Sequence, residues 1–327
     1  MQYRILGKTD MNVSVVTLGC WALAGDAIWG HQEEQDSLAT IHKALDCGIN
    51  LFDTAEGYGD GYSEEVVGKA LKDRRDQAYI ATKVSPNHLA ANDLVAACEA
   101  SLKRLQTDYI DLYQLHWPNA EVPFAETMDA VAALQQQGKI RFVGVSNFGV
   151  KDLSSVLEAG RVDSNQLAYN LLWRGIEYCI KPLCVRENVG ILCYSPLAQG
   201  LLTGKFPDLE SIPVTRMRTK HFSDDREMAR HGGPGYEEET MTAVAAIRRI
   251  AKEADVEMGQ LALAWLLEQE GVTSVVAGGR KPEQVEANAL AASARLTPDV
   301  VQALSEATTP LKECFGDDAD MWADRIH

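Results

Sequence analysis

Eight short apolar segments alternate along the chain with amphipathic stretches, and this alternation restricts the possible folds more than any other feature. Within the stretches, apolar residues recur every three to four positions, as at Leu38, Ile41 and Leu45, which indicates helices with one buried face. Strands that alternate with helices form parallel sheets, and eight such repeats are typical of a closed barrel. The sequence therefore predicts an α/β protein, a (β/α)8 TIM barrel with strands at residues 15–19, 50–53, 79–83, 111–116, 142–146, 166–170, 191–195 and 274–277.

Two further segments lie outside this repeat. Residues 3–6 and 12–15, on either side of Gly7-Lys8-Thr9-Asp10, predict a β-hairpin that covers the barrel floor. Residues 206–234 separate the seventh strand from the next helix, and their length and polar composition indicate a functional loop. Because no linker or internal repeat interrupts the pattern, we expect a single barrel domain over residues 1–327.

The charge and composition of the chain restrict its partners. A formal net charge of −16 at pH 7 argues against binding to nucleic acid or to an anionic membrane surface, so any anionic ligand must be held by local basic groups. No segment reaches the ~20 apolar residues that cross a bilayer, and the N-terminus lacks the apolar core of a signal peptide. Seven scattered cysteines without a C-x-x-C pair fit reduced thiols. We therefore expect a cytosolic protein, with homo-oligomer formation left open.

Four polar residues stand at or just past the ends of predicted strands: Asp53, Tyr58, Lys83 and His116. Because parallel strands of one sheet end on the same side, these side chains converge although they are distant in sequence. An acid, a phenol, an amine and an imidazole suit proton transfer to a carbonyl oxygen. Each residue alone has a structural explanation, such as a turn cap or a core histidine, but together they predict an oxidoreductase site.

The chemistry of these groups suggests a role for each. A free tyrosine has a pKa of about 10, and a nearby ammonium, that of Lys83, lowers this pKa by stabilising the phenolate. Asp53 supplies the counter-charge that keeps the lysine ionised in a barrel mouth. Tyr58 is thus predicted to be the general acid in reduction and the base in oxidation, and His116 to donate a hydrogen bond to the carbonyl oxygen.

Six separated motifs resemble those of the aldo-keto reductases. They are Asp-Thr-Ala-Glu-Gly-Tyr-Gly at 53–59 with Ser63-Glu64, Ala-Thr-Lys at 81–83, Leu-His-Trp-Pro at 115–118, Gly-Val-Ser-Asn-Phe at 144–148, Tyr-Ser-Pro-Leu at 194–197 and Gly-Leu-Leu-Thr-Gly-Lys at 200–205. The last two resemble the bacterial branch that is similar to potassium-channel β-subunits. The resemblance implies the roles given above and a TIM barrel that binds NADPH without a Rossmann fold. In agreement, no G-x-G-x-x-G follows the first strand.

The resemblance also implies where the nicotinamide lies. Ser146, Asn147 and Gln166, at the ends of the fifth and sixth strands, are expected to hold the carboxamide, and Tyr194 offers a flat face for stacking. The remaining cofactor contacts near this ring are expected from the end of the first strand and from the tetrad, at Gly19, Cys20, Trp21 and Asp53.

Two segments are expected to hold the phosphates. In the first, glycines permit close backbone approach and Lys205 meets the pyrophosphate, with Arg216 as a further ligand and Arg218 as the competing choice. In the second, residues 278–284, a glycine turn and a helix start with Arg280 resemble the family's site for the 2'-phosphate, although Ala287 stands where a glutamate is common. The expected contacts of both segments are Ser195, Pro196, Leu197, Gln199, Gly200, Leu202, Gly204, Lys205, Arg216, Gly278, Arg280, Gln284 and Asn288.

Aromatic residues are expected to line the substrate mouth. Trp21, Trp29 and Trp117, together with Tyr58 and His116, suit apolar carbonyls and also the apolar faces of sugars. The seven histidines show no paired spacing, so we expect no metal. The sequence thus predicts an NADP-dependent carbonyl reductase of the alcohol dehydrogenase type (EC 1.1.1.-).

The sequence is also compatible with two other classes of protein. In a barrel aldolase, Lys83 would form a Schiff base with the substrate, and the nicotinamide-binding segments would have no purpose. In a binding module similar to the channel β-subunits, the barrel would hold NADPH as a redox sensor and signal to a partner.

Overall fold

The computed structural model describes residues 1–323, 325 and 326, and it begins with the predicted hairpin. Strands β1 (Tyr3–Ile5) and β2 (Asn12–Ser14) pair in antiparallel register. Gly7 in their turn has a φ of +50°, and a Cβ atom there would lie 2.1 Å from the carbonyl oxygen of Asp163. Because only glycine allows this approach, the turn sits directly against the start of the barrel strands.

Eight parallel strands close the barrel, which confirms the predicted fold. Each strand pairs with the next one along the chain, and the last pairs with the first. The strands are β3 (Val16–Gly19), β4 (Leu51–Asp53), β5 (Tyr79–Val84), β6 (Ile110–Leu115), β7 (Ile140–Ser146), β8 (Ser164–Ala168), β9 (Gly190–Tyr194) and β10 (Val272–Gly278).

Strand β8 lies two residues earlier than the predicted 166–170. Its first residue, Ser164, pairs with Gly144 on β7. After Ala168 the chain leaves the sheet, because Asn170 and Trp173 bond each other's backbone groups in a tight turn at 3.1 and 3.2 Å. The apolar run continues into this turn, and that continuation explains the misplaced boundary.

Helices cover the outside of the barrel, and Ile41, with Leu38 and Leu45 packed near it, confirms the predicted buried face of the first helix. Helix α7 follows the long loop at 206–234, in which the only regular element is a single 3-10 turn, Val214–Arg216. The α-helices in the described residues are α1 (Glu34–Asp46), α2 (Tyr62–Leu71), α3 (Ala91–Leu105), α4 (Phe124–Gln136), α5 (Val150–Ala159), α6 (Ile180–Arg186), α7 (Glu237–Glu253), α8 (Met258–Leu267), α9 (Pro282–Leu290) and α10 (Pro298–Phe315). No helix among them is long and apolar enough to cross a membrane.

The barrel interior is filled from below by the hairpin. Leu6, Met11 and Val13 are fully buried against Leu51 and Leu112 inside the barrel, so the hairpin covers the floor as predicted. The amino ends of the strands are thereby closed. Polar side chains gather at the opposite end, where the strands finish, which is the usual position of active sites in this fold.

Candidate active site at the carboxyl end of the barrel

The structure brings Asp53, Tyr58, Lys83 and His116 together at one end of the barrel. Asp53 ends β4, Lys83 is the penultimate residue of β5, and His116 directly follows β6. Tyr58 lies in the loop between β4 and α2, where its ring meets that of His116 edge to face at a centroid distance of 5.9 Å. Parallel strands that end on the same side account for this convergence.

Lys83 is completely buried, and its ammonium uses all three of its protons. Nζ donates to Asp53 Oδ1 at 2.7 Å, to the carbonyl oxygen of Thr54 at 2.8 Å and to the Tyr58 hydroxyl at 3.2 Å. Burial is the largest single influence on the pKa of Lys83 and lowers it, but the charges of Asp53 and Tyr58 and the hydrogen bonds to them together outweigh burial, so the pKa lies above its ordinary value. The amine is therefore held in its protonated form.

Asp53 is also satisfied on its other oxygen. Oδ2 accepts hydrogen bonds from Gln166 Nε2 at 2.7 Å and from Gln114 Nε2 at 3.1 Å. A buried ion pair whose remaining lone pairs are occupied avoids most of the desolvation penalty. The sequence predicts that Gln166 holds the nicotinamide carboxamide, whereas its amide group here fixes Asp53, together with Gln114, for which the sequence predicts no role.

Burial and Lys83 act in opposite directions on the pKa of Tyr58. Burial raises the pKa of this phenol above its usual value, and the Lys83 ammonium opposes the increase without reversing it. Lys83 thus lowers the pKa of Tyr58 as predicted, but desolvation of the phenolate is the larger effect and the pKa lies above its usual value. The phenol is neutral at pH 7 and holds the proton that a general acid must supply.

His116 is a neutral imidazole with unoccupied nitrogens. Burial, together with the charges of Lys83 and Arg325, lowers the pKa of His116 to about 3. Its backbone is fixed on both sides, because its amide donates to Val84 and its carbonyl accepts from Asn147 Nδ2, each at 3.0 Å. Neither ring nitrogen has a hydrogen-bond partner within the described part of the chain, so the ring N–H is available to a ligand.

Three tryptophans expected in the substrate mouth take different positions. Trp21 stacks on Tyr58, with ring centroids 5.8 Å apart and an interplanar angle of 21°. Trp29 meets Trp21 edge to face at 5.5 Å and lies under the guanidinium of Arg216 at 4.0 Å, on the side of the expected phosphates. Trp117 is half-buried and covered by Arg325 at 3.8 Å. Trp21 is thus the tryptophan nearest to the chemistry.

The residues expected around the nicotinamide form one hydrogen-bonded group. The Ser146 hydroxyl donates to the Gln166 carbonyl at 3.0 Å, and Asn147 Oδ1 accepts from the Tyr194 hydroxyl at 2.9 Å. Asn147 has a φ of +63°, a left-handed conformation that asparagine tolerates better than most residues. Tyr194 also accepts from Trp322 Nε1 at 3.1 Å, so its ring is held from two sides.

The end of β3 connects the expected cofactor contacts to the tetrad. The Cys20 amide donates to the Asp53 carbonyl at 2.8 Å, which fixes the adjoining Gly19 and Trp21 at the mouth. The Cys20 side chain itself is fully buried, and its sulfur lies against the Leu18 carbonyl.

The loop after β9 has an unusual backbone. Three residues with side chains, Ser195, Ala198 and Gln199, have φ values of +49°, +46° and +56°. Gly200 and Gly204 follow at +100° and +79°. Left-handed backbone at non-glycine positions is strained and collects at ligand-binding sites. This segment also contains the expected contacts Pro196, Leu197, Leu202 and Lys205.

Lys205 and Arg216 face a common region of positive potential. Each pKa is lowered first by burial and then by a neighbouring cation, Arg216 for Lys205 and Arg280 for Arg216. Arg216 NH1 is buried and has no hydrogen-bond partner in the described residues. A buried guanidinium nitrogen without a partner fits a bound anion such as a phosphate group.

Arg280 is engaged by the protein itself. The sequence predicts that its guanidinium faces a phosphate, whereas it donates to the Trp29 carbonyl at 2.6 Å, to Gln32 Oε1 at 2.8 Å and to the His31 carbonyl. These acceptors lie in the loop between β3 and α1.

The start of helix α9 has the geometry that its sequence predicts. Pro282 occupies an early helical position and Lys281 is the residue that caps the helix. Gln284 Oε1 accepts from the Arg280 amide at 2.8 Å, and Asn288 Nδ2 donates to the Gly278 carbonyl at 3.1 Å. Both side chains therefore brace the turn. Within the described residues, no group of three or more His, Cys, Asp or Glu residues could hold a metal ion.

Comparison with known proteins identifies the family. The model of the Aldo/keto reductase family matches residues 15–309. The chain belongs to this family. It is 37% identical to aldo-keto reductase YhdN of Bacillus subtilis over 88% of this chain and 87% of the relative. The NADH-specific methylglyoxal reductase of Escherichia coli is 33% identical, with 89% and 94% coverage. A probable voltage-gated potassium channel subunit beta of Oryza sativa is 31% identical, with 92% and 94% coverage.

Solved structures of other aldo-keto reductases match over almost the whole chain. An aldo-keto reductase from Klebsiella pneumoniae, crystallised with NADPH, has a TM-score of 0.75 and 28% identity, and covers 100% of this chain and 99% of its own. The glycerol dehydrogenase AKR11B4 of Gluconobacter oxydans has a TM-score of 0.79 and 32% identity, with 94% and 95% coverage.

Some residues of this aldo-keto reductase mouth are not found by sequence reasoning. Gln114 lies inside the barrel below Asp53, and a polar residue within an otherwise apolar strand was the available signal. Trp322 and Arg325 reach the mouth from the C-terminal segment, which follows the last helix and carries no motif. Arg218, which the sequence analysis names as the alternative to Arg216, packs between Trp21 and Trp322 at 5.5 and 5.0 Å from their rings, and these two contacts have no sequence signal. These contacts depend on how distant loops meet.

Proposed function

We propose that this aldo-keto reductase is an NADP(H)-dependent oxidoreductase that interconverts an aldehyde or ketone, including a sugar carbonyl, and the corresponding alcohol. The observation that carries the proposal is the contact between the Tyr58 hydroxyl and the buried Lys83 ammonium, beside an imidazole with unoccupied nitrogens. These groups supply a proton and a hydrogen-bond donor to one substrate oxygen. The assignment of Asp53, Tyr58, Lys83 and His116 as catalytic residues is part of this proposal.

The described residues fit a dinucleotide phosphate. Lys205 and Arg216 are partly desolvated cations, and a buried nitrogen of Arg216 lacks a partner. Arg280 is near enough to Arg216 to lower its pKa, so it belongs to the same basic region. In a chain of net charge −16, such a region favours an anionic ligand locally. NADPH in a related Klebsiella structure supports the choice of cofactor, whereas the NADH-specific relative makes the preference a matter for measurement.

The residues of the chain divide the remaining work. The nicotinamide, when bound, supplies or accepts the hydride at the carbonyl carbon. His116 donates a hydrogen bond to the carbonyl oxygen, orients it and stabilises the negative charge that develops there. Tyr58 transfers its proton to that oxygen in reduction and receives it back in oxidation. Lys83 stabilises the resulting phenolate, and Asp53 holds Lys83 in place.

Tyr194 and its neighbours are proposed to position the ring. Its hydroxyl is fixed by Asn147 and Trp322, which leaves the ring face for stacking. Ser146 and Asn147 then bind the carboxamide. Gln166 also binds it, either in place of its hydrogen bond to Asp53 or in addition to that bond. Trp21, stacked on Tyr58, covers the substrate side of the mouth.

A carbonyl and polyol panel tests the proposal. Oxidation of NADPH or NADH is followed at 340 nm with methylglyoxal, simple aldehydes and ketones, and reduction of NADP or NAD with glycerol and sugars. We expect turnover with at least one carbonyl, a lower KM for NADPH than for NADH, and loss of turnover in Tyr58→Phe. Tight NADPH binding without turnover across the panel would instead favour a redox-sensing binding module.

The Schiff-base alternative is disfavoured by the state of Lys83. A nucleophilic amine must be deprotonated, yet this ammonium has a raised pKa and three hydrogen-bond acceptors. Borohydride treatment with substrate and without cofactor provides the test. Covalent trapping on Lys83 would contradict the proposed role.

A further inference from the structure

Arg218 is an arginine buried without a counter-ion in the long loop after β9. Its side chain is 0% exposed and is among the largest fully buried side chains of the protein. One nitrogen, NH2, donates to Gln199 Oε1 at 2.8 Å. The other two, Nε and NH1, have no hydrogen-bond partner in the part of the chain that the structure describes. A buried charge in this state is costly unless an anion meets it.

The charges around Arg218 do not provide that anion. Arg230 and Arg216 are the neighbouring cations, and Asp26 is the carboxylate that acts on Arg218 from a distance. Asp26 is already occupied, because Oδ2 accepts from Trp21 Nε1 at 2.8 Å and Oδ1 accepts from the amides of Ile28 and Trp29, both at 2.9 Å. Burial and the two arginines lower the pKa of Arg218 to about 10, so the guanidinium remains charged at pH 7.

The position of Arg218 points to the substrate side of the mouth. Its guanidinium carbon lies 5.5 Å from the ring of Trp21, and Trp21 stacks on the proposed acid Tyr58. On the other side it lies 5.0 Å from Trp322, which bonds the Tyr194 hydroxyl. Arg218 and the phenol of Tyr58 thus both lie near the ring of Trp21.

Arg216 occupies the other side of the same region. It packs on Trp29, and its charge repels those of Lys205 and Arg280, the cations assigned above to the cofactor phosphates. The two arginines are two positions apart in sequence but face different tryptophans. The basic region therefore has two parts. Arg216 lies with the cations assigned to the cofactor phosphates, and Arg218 lies beside Trp21, next to the reacting groups.

We propose that Arg218 binds an anionic group of the carbonyl substrate, a carboxylate or phosphate a few atoms from the reacting carbon, and so makes the enzyme selective for anionic carbonyl compounds. The inference rests on the proposed function and specifies its substrate class. Because Arg218 has no contact with solvent in the structure, the loop opens locally to admit the substrate. The pyrophosphate of the cofactor is the other anion that would satisfy Arg218, and the measurements below distinguish it from an anionic substrate.

Matched substrate pairs provide the first test. Succinic semialdehyde is compared with butanal, and glyceraldehyde 3-phosphate with glyceraldehyde, so that each pair differs mainly in the anion. A charge-assisted hydrogen bond accounts for roughly 10- to 150-fold in binding, so we expect kcat/KM to favour the anionic member of at least one pair by about tenfold or more. Equal or lower kcat/KM for both anionic members would overturn the proposal.

Substitution of Arg218 provides the second test. In Arg218→Gln the preference for the anionic member falls at least about tenfold, and in Arg218→Lys, which keeps the charge, it falls less. Arg226→Gln is the matched control, since Arg226 lies in the same loop but pairs with Glu237 at 2.8 Å and is partly exposed. The control retains the wild-type preference. An unchanged preference in Arg218→Gln would contradict the assignment.

Equilibrium binding separates the sources of the anion and does not require turnover. Succinate and glycerol 3-phosphate are titrated into the NADP-bound enzyme by calorimetry, and NADPH into the free enzyme. We expect Arg218→Gln to weaken succinate or glycerol 3-phosphate binding about tenfold while the NADPH Kd changes less than about twofold. Weakening of NADPH instead would assign Arg218 to the pyrophosphate and overturn the substrate role. If carbonyl turnover is absent but the anion binds through Arg218, the proposed function fails and the anion site stands.

Discussion

Lys83 donates a hydrogen bond of 3.2 Å to the hydroxyl of Tyr58, and it is the only fully buried lysine among the described residues. The same ammonium is anchored by Asp53 at 2.7 Å, so a charge that would otherwise be costly to bury is fixed beside the phenol. The pair provides a proton donor with a cation in place to stabilise its conjugate base. Burial raises the pKa of Tyr58, which in the proposed mechanism keeps the proton on the phenol until a substrate oxygen arrives.

Lys83→Met is expected to reduce both activity and stability. The phenolate loses its charge partner, so kcat should fall by about 100-fold or more. Asp53 is left buried without a cation, which should lower the free energy of unfolding by about 3–5 kcal/mol. Steady-state rates and urea unfolding measure the two effects.

Matched variants separate the causes. Asp53→Asn combined with Lys83→Met removes both charges and should recover part of the stability without recovering kcat. Lys69→Met removes a surface lysine that pairs with Glu34 at 2.8 Å and should leave the free energy of unfolding nearly unchanged, because solvent screens this pair. Normal turnover in Lys83→Met would remove Lys83 from the mechanism.

Arg280→Ala tests cofactor preference. Arg280 donates hydrogen bonds to the Trp29 carbonyl and to Gln32 Oε1, and we expect the 2'-phosphate of NADPH to compete with these acceptors. Loss of that contact should weaken NADPH by about 10- to 150-fold and leave NADH nearly unchanged. Dissociation constants of both cofactors at one ionic strength decide the point.

Gln32→Ala is the matched control for this prediction. It removes a loop partner of Arg280 but keeps the cation, so the ratio of the two dissociation constants should stay near that of the wild type. Equal weakening of NADPH and NADH in Arg280→Ala would assign Arg280 to the structure of the loop alone.

His221 is expected to make stability depend on pH. It is 1% exposed, Nε2 lies 3.1 Å from the Leu172 carbonyl and Nδ1 lies 2.9 Å from the Thr219 hydroxyl. Burial lowers its pKa from 6.5 to about 4. Between these values the unfolded chain binds the proton and the folded one does not, so the free energy of unfolding falls as pH decreases, by up to about 3 kcal/mol.

Unfolding of His221→Asn between pH 4 and 7 measures this contribution. The variant should show a smaller slope of unfolding free energy against pH than the wild type, whatever its stability at neutral pH. His31→Asn, which alters a ring that is 81% exposed, is the surface control. An identical slope in wild type and His221→Asn would show that His221 is protonated equally in both states.

The pH profile of reduction tests the state of His116. With a pKa of about 3, the imidazole is neutral over the whole range in which the enzyme is assayed. A plot of kcat/KM against pH should therefore show no ionisation of His116 near pH 6.5. In this range the profiles of the wild type and of His116→Gln should have the same shape. An ionisation near pH 6.5 that vanishes in this variant would mean that the working form of His116 is the imidazolium.

The barrel and the grouping of the tetrad were accessible from sequence because both follow from strand ends. Asp53, Lys83 and His116 each finish or follow an apolar run, and parallel strands place such residues on one side. The boundary of β8 was less accessible, since Tyr169 continues the apolar run after the chain has left the sheet.

Hydrogen-bond partners were not accessible in the same way. Most acceptors of Arg280 are backbone carbonyls some 250 positions away, and backbone carbonyls carry no sequence signal. The net pKa of Tyr58 depends on its burial, which the order of residues does not give. The contact of Trp322 with Tyr194 requires the C-terminal segment to fold back over the barrel, and no motif marks that path.

Tyr58→Phe tests the central claim most directly. NADPH is bound to wild type and variant and mixed with the best carbonyl of the panel in a single turnover, while cofactor affinity is measured by fluorescence quenching. Loss of the hydroxyl should slow NADPH oxidation by at least about 100-fold, the lower end expected for general acid catalysis, with the NADPH Kd within about twofold of wild type. Near-normal oxidation in the variant would show that Tyr58 is not the proton donor and would contradict the proposed mechanism.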